Sequence, residues 1–310
     1  MTQISIVVPL YNEADNLLLL YERLNGVMEK LGLTYEYVFV NDGSHDATIQ
    51  IVRQIAKNDP QIKYLDLSRN FGHQIAATAG LEHSTGDKVV LIDADLQDPP
   101  ELIVDLYAKM QEGYEVVYAK RRSREGESWL KKFTAKTFYR FLKIITHIDI
   151  PVDTGDYRIV DRKVVNVLKQ MPEYHRFLRG QIAWIGFNQT YVEYDRDERN
   201  AGETGYTYRK MLHFAMDGIT AFSDFPLKLA TIMGFIVSGV AFLTLLYALY
   251  MRLIVQNFEP GWTSIIVSVL FLGGVQLISI GIIGEYISRI NTQVKERPLY
   301  VVREENMSDK

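Results

Sequence analysis

The residues best equipped for chemistry lie in Val89-Val90-Leu91-Ile92-Asp93-Ala94-Asp95-Leu96-Gln97-Asp98-Pro99-Pro100, where an apolar run stops abruptly in acids and two prolines. Apolar residues follow one another there without alternation, so the run reads as a strand buried on both faces. Its carboxyl end then delivers Asp93 and Asp95 to the rim of a sheet, where open α/β folds bind their ligands. Strand alternation would point both carboxylates one way, with Ala94 opposite. Two hard oxygen donors so arranged suit Mg2+ or Mn2+ holding a phosphate. An Asp-x-Asp by itself is also a common solvated turn, so its surroundings decide what it means.

Those carboxylates need a scaffold. Ile4–Pro9 is a short β-branched strand, and Glu13–Leu31 has apolar residues at helical spacing with Gly32 as a stop. The same alternation continues with strands at Tyr35–Val40, Ile62–Leu67, Lys88–Ile92 and Glu115–Ala119, and helices at Asp46–Ala56, Gly72–Glu82 and Pro100–Glu112. Strands alternating with helices predict an α/β, Rossmann-like domain with a mostly parallel sheet and right-handed crossovers. The second strand ends in Asn41-Asp42-Gly43-Ser44, which brings Asp42 to the same rim as Asp93 and Asp95. Carboxylates alone repel a phosphate, so three of them imply an intervening metal or sugar hydroxyls as ligands. A nucleotide offers both. No Gly-x-Gly-x-x-Gly follows the first strand and no Walker sequence occurs, which argues against a nicotinamide enzyme or a P-loop NTPase.

Of 310 residues, 47% are hydrophobic and 23% charged, a balance that supports a packed core. A net charge of −4 gives no reason to expect a nucleic-acid partner. The chain has no cysteine, which excludes disulfides, thiolate metal sites and Cys nucleophiles. The N-terminus lacks the basic-then-apolar layout of a signal peptide. None of the six histidines pair at metal-ligand spacing, so zinc is disfavoured, and His73 reads as structural. Asp46 reads as a helix cap, and Gly43 and Gly72 as turn glycines.

The apolar excess sits late in the chain. Leu229–Met251 and Pro260–Gly284 carry no charged residue over 23 and 25 positions. About 20 apolar residues suffice to cross a bilayer. The short Arg252–Glu259 connection makes the pair an antiparallel hairpin. Arg209, Lys210 and Lys228 precede it and Arg289, Lys295 and Arg297 follow, while only Arg252 lies in the loop. The positive-inside rule then places the N-terminal domain and the tail in the cytoplasm, with the protein multi-pass in the cell (inner) membrane. Tyr206–Phe225 is amphipathic and reads as an interfacial helix; the basic, aromatic-rich stretch Ser123–His147 reads equally as a membrane-surface helix or an ordinary helix over the sheet. The expected domains are therefore residues 1–205 (cytosolic and catalytic), 206–226 (interfacial helix), 227–288 (transmembrane hairpin) and 289–310 (cytosolic tail). Within that tail, Leu299–Val302 could form a lone strand in need of a partner edge.

Pro9-Leu10-Tyr11-Asn12-Glu13, Asn41-Asp42-Gly43-Ser44-His45-Asp46, Asn70-Phe71-Gly72-His73-Gln74, Asp93–Pro99, Asp153-Thr154-Gly155-Asp156-Tyr157-Arg158 and Glu198-Arg199-Asn200-Ala201-Gly202-Glu203 resemble, in order, the motifs of family 2 glycosyltransferases with a GT-A fold. With two C-terminal spans, the chain is most similar to the polyprenyl-phosphate glycosyltransferases related to dolichol-phosphate-mannose synthase. The resemblance implies inverting transfer of a sugar from a nucleoside diphosphate, with UDP-glucose the leading donor, to polyprenyl (undecaprenyl) phosphate. It implies that Pro9, Tyr11, Glu13, Asp42 and Asp93 hold the nucleoside, that Asp95 ligates Mg2+ or Mn2+, and that Asp156 is the catalytic carboxylate near the attacking group, with base as its candidate role. Arg121, Arg199 and Arg209 are candidates for phosphate charge. Related sequences often carry Ser-Lys where this chain has Thr204-Gly205, which moves that charge to Arg209 or Lys210. A homo-oligomer is expected, as glycines in both spans permit close helix packing. The alternatives are a GDP-mannose or amino-arabinose donor, or a non-catalytic sugar-nucleotide-binding scaffold. The Gln-x-x-Arg-Trp sequence of processive synthases is absent.

Overall fold

The computed structural model describes residues 2–122, 154–195, 223–255 and 261–307. The chain divides into two compact units, Met1–Met211 with Pro298–Lys310, and Leu212–Arg297.

The first unit follows the βα alternation. β1 (Ile4–Leu10), α1 (Ala14–Leu31), β2 (Tyr35–Asn41), α2 (Thr48–Asn58), β3 (Ile62–Leu67), α3 (His73–His83) and β4 (Lys88–Leu91) come first. A 3₁₀ turn at Pro100–Leu102 leads into α4 (Ile103–Met110), followed by β5 (Val116–Arg121). Then come β6 (Thr154–Asp161), α5 (Arg162–Gln170), α6 (Leu178–Ile185) and β7 (Gln189–Tyr194). The C-terminal segment adds β8 (Val302–Glu305), and the eight strands form one sheet in the order β7-β5-β6-β4-β1-β2-β3-β8.

Pairing is parallel across β4-β1-β2-β3 and between β5 and β7. It is antiparallel where β6 enters between β4 and β5 and where β8 joins β3. Side-chain alternation along β1 explains the layering. Ile4, Ile6, Val8 and Leu10 pack with the apolar stripes of α1, α2 and α4, while Val7 packs with α3, α5 and α6. Helices thus cover both faces, and the strand ends form the exposed rim.

Three expectations need correction. β4 ends at Leu91, before the acids; Ala94 and Asp95 lie in a turn, and Leu96 adopts φ 58°. Strand alternation therefore does not orient Asp93 and Asp95. The helix foreseen over Pro100–Glu112 is broken into a 3₁₀ turn and a shorter α-helix. The tail strand is not lone: Val302–Glu305 pairs with β3, closing the edge that the sheet would otherwise expose.

The second unit holds α7 (Phe225–Tyr250), a π-turn over Met251–Val255, and α8 (Trp262–Val294). The helices touch each other, and the Tyr286 hydroxyl donates to the Ser223 carbonyl at 2.7 Å. Phe225–Thr244 and Val267–Val294, with mean hydropathy 1.8 and 2.1, are candidate membrane spans by length and composition. Their apolar side chains face outward; Phe235 and Leu277 are 75% and 72% exposed. An apolar surface of this extent needs a non-aqueous neighbour. The expected interfacial helix (its residues 206–222), the Ser123–His147 stretch, and Arg199 and Arg209 all lie outside the described residues.

Candidate active site

The rim is assembled by register. Leu91, the last residue of β4, pairs with Arg158 of antiparallel β6, and the chain beyond it carries Asp93 to within 3.4 Å of the same His73 Nε2 that lies 3.2 Å from Asp156. In β6 residues 156 and 158 share a face. The Arg158 guanidinium, 1% exposed, donates to the Asp156 carboxylate at 3.2 Å and to the carbonyls of Gly155 and Asp156. α3 begins at the same rim with His73 and Gln74, and α6 brings Arg179.

Four side chains from three elements converge on Asp156. Gln74 Nε2 donates to Oδ2 at 2.8 Å, and His73 Nε2 lies 3.2 Å from the same oxygen. Arg179 Nε and Arg158 donate to Oδ1 at 3.1 and 3.2 Å. Burial alone would raise the pKa of Asp156, but Arg179, His73 and Arg158 outweigh it and hold the carboxyl well below its usual range. Gln74 Oε1 also accepts from the Leu178 backbone, locking α3 to α6.

Asp93 is in the opposite state. Burial, together with its acidic neighbours Asp156, Asp98 and Asp95, raises it to about 6 against the opposing pull of His73. Its Oδ1 is buried without a hydrogen bond, 3.4 Å from His73 Nε2. A carboxylate oxygen left in that condition is a site for a cation or a donor group. Asp95 sits in the turn, where Oδ1 accepts from the Gln97 N–H at 3.2 Å.

His73 is drawn between these carboxylates. Desolvation pulls its pKa down, but Asp93 and Asp156 lift it to about 9. Its position is fixed by Asp42, which is buried and accepts the backbone N–H groups of Phe71 and Gly72 at 2.7 and 2.9 Å. Burial raises the Asp42 pKa, partly offset by those two bonds. Asp42 thus serves as a strut for the turn that starts α3, and a nucleoside contact would share its oxygens. Gly43 permits the approach: at φ 64°, an added Cβ would come within 2.4 Å of the Arg69 backbone.

The remaining sequence candidates are placed as follows. Pro9 is buried within β1; Tyr11 is exposed, edge-on to His45 at 6.5 Å between ring centres. The Glu13 carboxylate accepts from Asn16 at 2.8 Å. Asp46 is structural, bonding Thr48 and the Ala14 N–H at the starts of α2 and α1. Arg121 Nε donates to the Tyr194 hydroxyl at 3.3 Å and its guanidinium is 3.6 Å from buried Asp98, to which Tyr194 also donates. That group adjoins the cluster, because an added Cβ on Gly155 would lie 3.1 Å from Arg121. The sequence reading missed His73, Gln74, Arg158 and Arg179. The first three stood within quoted motifs, whereas nothing local marked Arg179.

Among the described residues, no three His, Asp or Glu side chains converge as a closed metal site. Mg2+ and its relatives are usually held by one or two carboxylates and substrate phosphates. The hard oxygens of Asp95 and of neighbouring Asp93, with its orphaned Oδ1, fit that requirement.

Comparison with known proteins shows the family and the fold. Residues 5–168 match the family described as glycosyl transferase family 2, and residues 225–290 match the GtrB C-terminal hairpin. An uncharacterized glycosyltransferase of Bacillus subtilis (strain 168), YkcC, is 52% identical over 97% of this chain and 93% of its own. A prophage bactoprenol glucosyl transferase homolog of Escherichia coli (strain K12) is 42% identical, covering 97% of this chain and 98% of its own. The bactoprenol glucosyl transferase of Shigella phage SfII is also 42% identical, with 97% of each chain covered. Among solved structures, glucosyl-3-phosphoglycerate synthase from Mycobacterium tuberculosis, in complex with Mn2+, uridine diphosphate and phosphoglyceric acid, superposes with a TM-score of 0.50. At 19% identity, covering 71% of this chain and 76% of that one, it shows a common fold.

Proposed function

This chain belongs to glycosyl transferase family 2, and from that premise we propose that it transfers glucose from UDP-glucose to a polyprenyl phosphate, inverting the anomeric centre, at the cytoplasmic face of a membrane. The observation that carries this reading is the acidic rim in which Asp93 and Asp156 flank His73 and Asp95 lies in the adjoining turn. The lipid acceptor is supported by the candidate spans and by the bactoprenol enzymes to which the chain is similar.

The residues divide the work. Exposed Tyr11 offers a ring to the nucleobase, Pro9 and Glu13 complete that pocket in this reading, and Asp42 and Asp93 take the nucleoside hydroxyls and amide groups. Asp95 would hold Mg2+ or Mn2+, which supplies Lewis-acid stabilisation of the departing diphosphate. Arg121, Arg199 and Arg209 add fixed positive charge for the phosphates of donor or lipid. The acceptor attacks from the sugar face opposite the diphosphate, which inverts the anomeric carbon.

Asp156 need not be a base. A phosphate monoester has its second pKa near ~6, so the acceptor is largely ionised at neutral pH. A carboxylate held well below its usual range by Arg179, His73 and Arg158 is a weak proton acceptor. Its role in this reading is to orient the cations around the attacking phosphate.

Purified protein supplied with Mn2+ and UDP-glucose should release UDP when undecaprenyl phosphate is added. Asp95→Ala should lower that rate by about 10²-fold or more. Lipid-independent release, or no release from a panel including GDP-mannose, contradicts the reading; full activity in Asp95→Ala refutes the metal assignment.

A further inference from the structure

We propose that Asp98 and Tyr194 are positioning residues for Arg121: they fix its guanidinium at the rim beside Gly155 and Asp156, where it meets an anionic phosphate oxygen of a substrate. The inference rests on the glycosyl-transfer reading and adds to it the two residues through which Arg121 acts.

Strand direction brings the three together. β6 is antiparallel to both β4 and β5, so β5 runs with β4 and its last residue, Arg121, arrives at the rim to which β4 leads. β7 is parallel to β5 and ends in Tyr194, the register partner of Arg121, which puts both side chains on one face. Asp98 comes from the turn after β4 and is fully buried. The Tyr194 hydroxyl accepts from Arg121 Nε at 3.3 Å and donates to Asp98 Oδ1, which lies 3.6 Å from Arg121 Nη2. Burial and the Asp98 charge raise the Tyr194 pKa, so the phenol keeps the proton that it donates.

The support beneath this group is itself fixed. The Tyr194 ring meets Tyr157 edge-on at 6.4 Å between centres, and the Tyr157 hydroxyl donates to the Pro99 carbonyl at 3.1 Å, next to Asp98. Arg121 therefore has a buried carboxylate and a phenol behind it, while 21% of its side chain remains open to solvent. Its guanidinium lies across the backbone of the residue before Asp156. A Cβ added to Gly155 would come within 3.1 Å of Arg121 Nη2 and 3.8 Å of Asp98 Oδ2. A long arginine at a strand end otherwise samples many rotamers, and ordering it on binding costs affinity. Held in advance, a planar and permanently charged fork suits a phosphate oxygen. The donor diphosphate and the acceptor monophosphate share that chemistry.

The test uses the full chain in detergent, with kcat and KM measured for undecaprenyl phosphate with UDP-glucose and Mg2+, and UDP affinity measured by calorimetry. Arg121→Ala should lose about 10²-fold in kcat/KM, and Asp98→Asn and Tyr194→Phe about 10-fold each. The deciding readout is the double-variant cycle. In the Arg121→Ala background, Asp98→Asn or Tyr194→Phe should cost less than about threefold more, because the group they act through is gone. Losses that multiply overturn the inference, since a residue that only braces the core costs the same with or without Arg121. So does a kcat/KM within about threefold of the original in Arg121→Ala, or in both other single variants. If UDP affinity falls in all three single variants, the phosphate belongs to the donor; if it is unchanged while kcat falls or the lipid KM rises, it belongs to the acceptor. Should Asp98→Asn fail to fold, the cycle is read from Tyr194→Phe, which keeps the ring against Tyr157. If the unaltered protein turns over no donor, the glycosyl-transfer reading fails by itself, and UDP affinity in the same cycle then decides: equal affinity in the original and in Arg121→Ala removes the assignment as well.

Discussion

Asp156 holds Arg158, Arg179, His73 and Gln74 in one arrangement, so removing it should disturb folding and, in the proposed reading, function. Asp156→Ala leaves the buried Arg158 guanidinium without its carboxylate, a loss worth about 3–5 kcal/mol for a broken buried pair. Denaturant melts of Asp156→Ala and Asp156→Asn should show the alanine variant clearly less stable than the original protein. Equal stability would mean that Arg158 is satisfied elsewhere. His73 gives a second prediction. Its folded pKa of about 9 lies above the unfolded value, so its contribution to stability is complete below about pH 6.5 and is lost as pH rises through 9. NMR of ring-labelled, metal-free protein should find His73 protonated at pH 7.5; a midpoint near 6.5 contradicts the bridged geometry. Asp42, Asp93 and Asp95 were legible in the sequence because apolar runs ending in acids mark strand ends. The importance of His73 was not, since two carboxylates from distant strands define it.

At the scale of elements, local pattern carried β1 to β5 and their helices, with boundaries within one or two residues for most. Partner choice was less visible. β6 enters antiparallel between β4 and β5, and nothing in Thr154–Asp161 alone names those neighbours, yet this insertion is what brings Asp156 to the end of β4, beyond which Asp93 follows. The turn after Leu91 was likewise hidden, because Leu96 takes a positive φ that its residue type does not advertise. The tail strand shows the same limit: a strand is expected over Leu299–Val302, but the one that forms is Val302–Glu305, and its partner was not visible. Its docking is reinforced by Arg53 on Glu304 and by Tyr300 on Glu82. Asn306 closes the edge of β3, accepting from the Tyr64 N–H at 2.6 Å and donating to the Ile62 carbonyl at 2.9 Å. Asn306→Ala should therefore destabilise the first unit by about 1–3 kcal/mol, and faster hydrogen exchange at the Tyr64 amide should accompany the loss. Unchanged exchange there would show that the strand is held without it.

For the whole molecule, the composition of the chain explains why a nucleotide-type site and apolar helices occur together. One unit offers carboxylates and cations suited to a charged, water-soluble donor. The other presents two long apolar helices suited to a bilayer, where a polyprenyl acceptor resides. Hairpin length and apolarity were plain from the sequence, because a bilayer demands an uninterrupted run that a soluble core does not. The donor's base and sugar leave no comparable periodic trace, since a few side chains at strand ends select them. The central claim is that these units serve one reaction. Its most direct measurement is the mass of the lipid after the purified protein is incubated in liposomes with UDP-glucose, Mg2+ and undecaprenyl phosphate. The account predicts a lipid phosphate heavier by one hexose, formed as UDP is released. A lipid of unchanged mass with UDP-glucose and with every other nucleoside diphosphate sugar tried would contradict it.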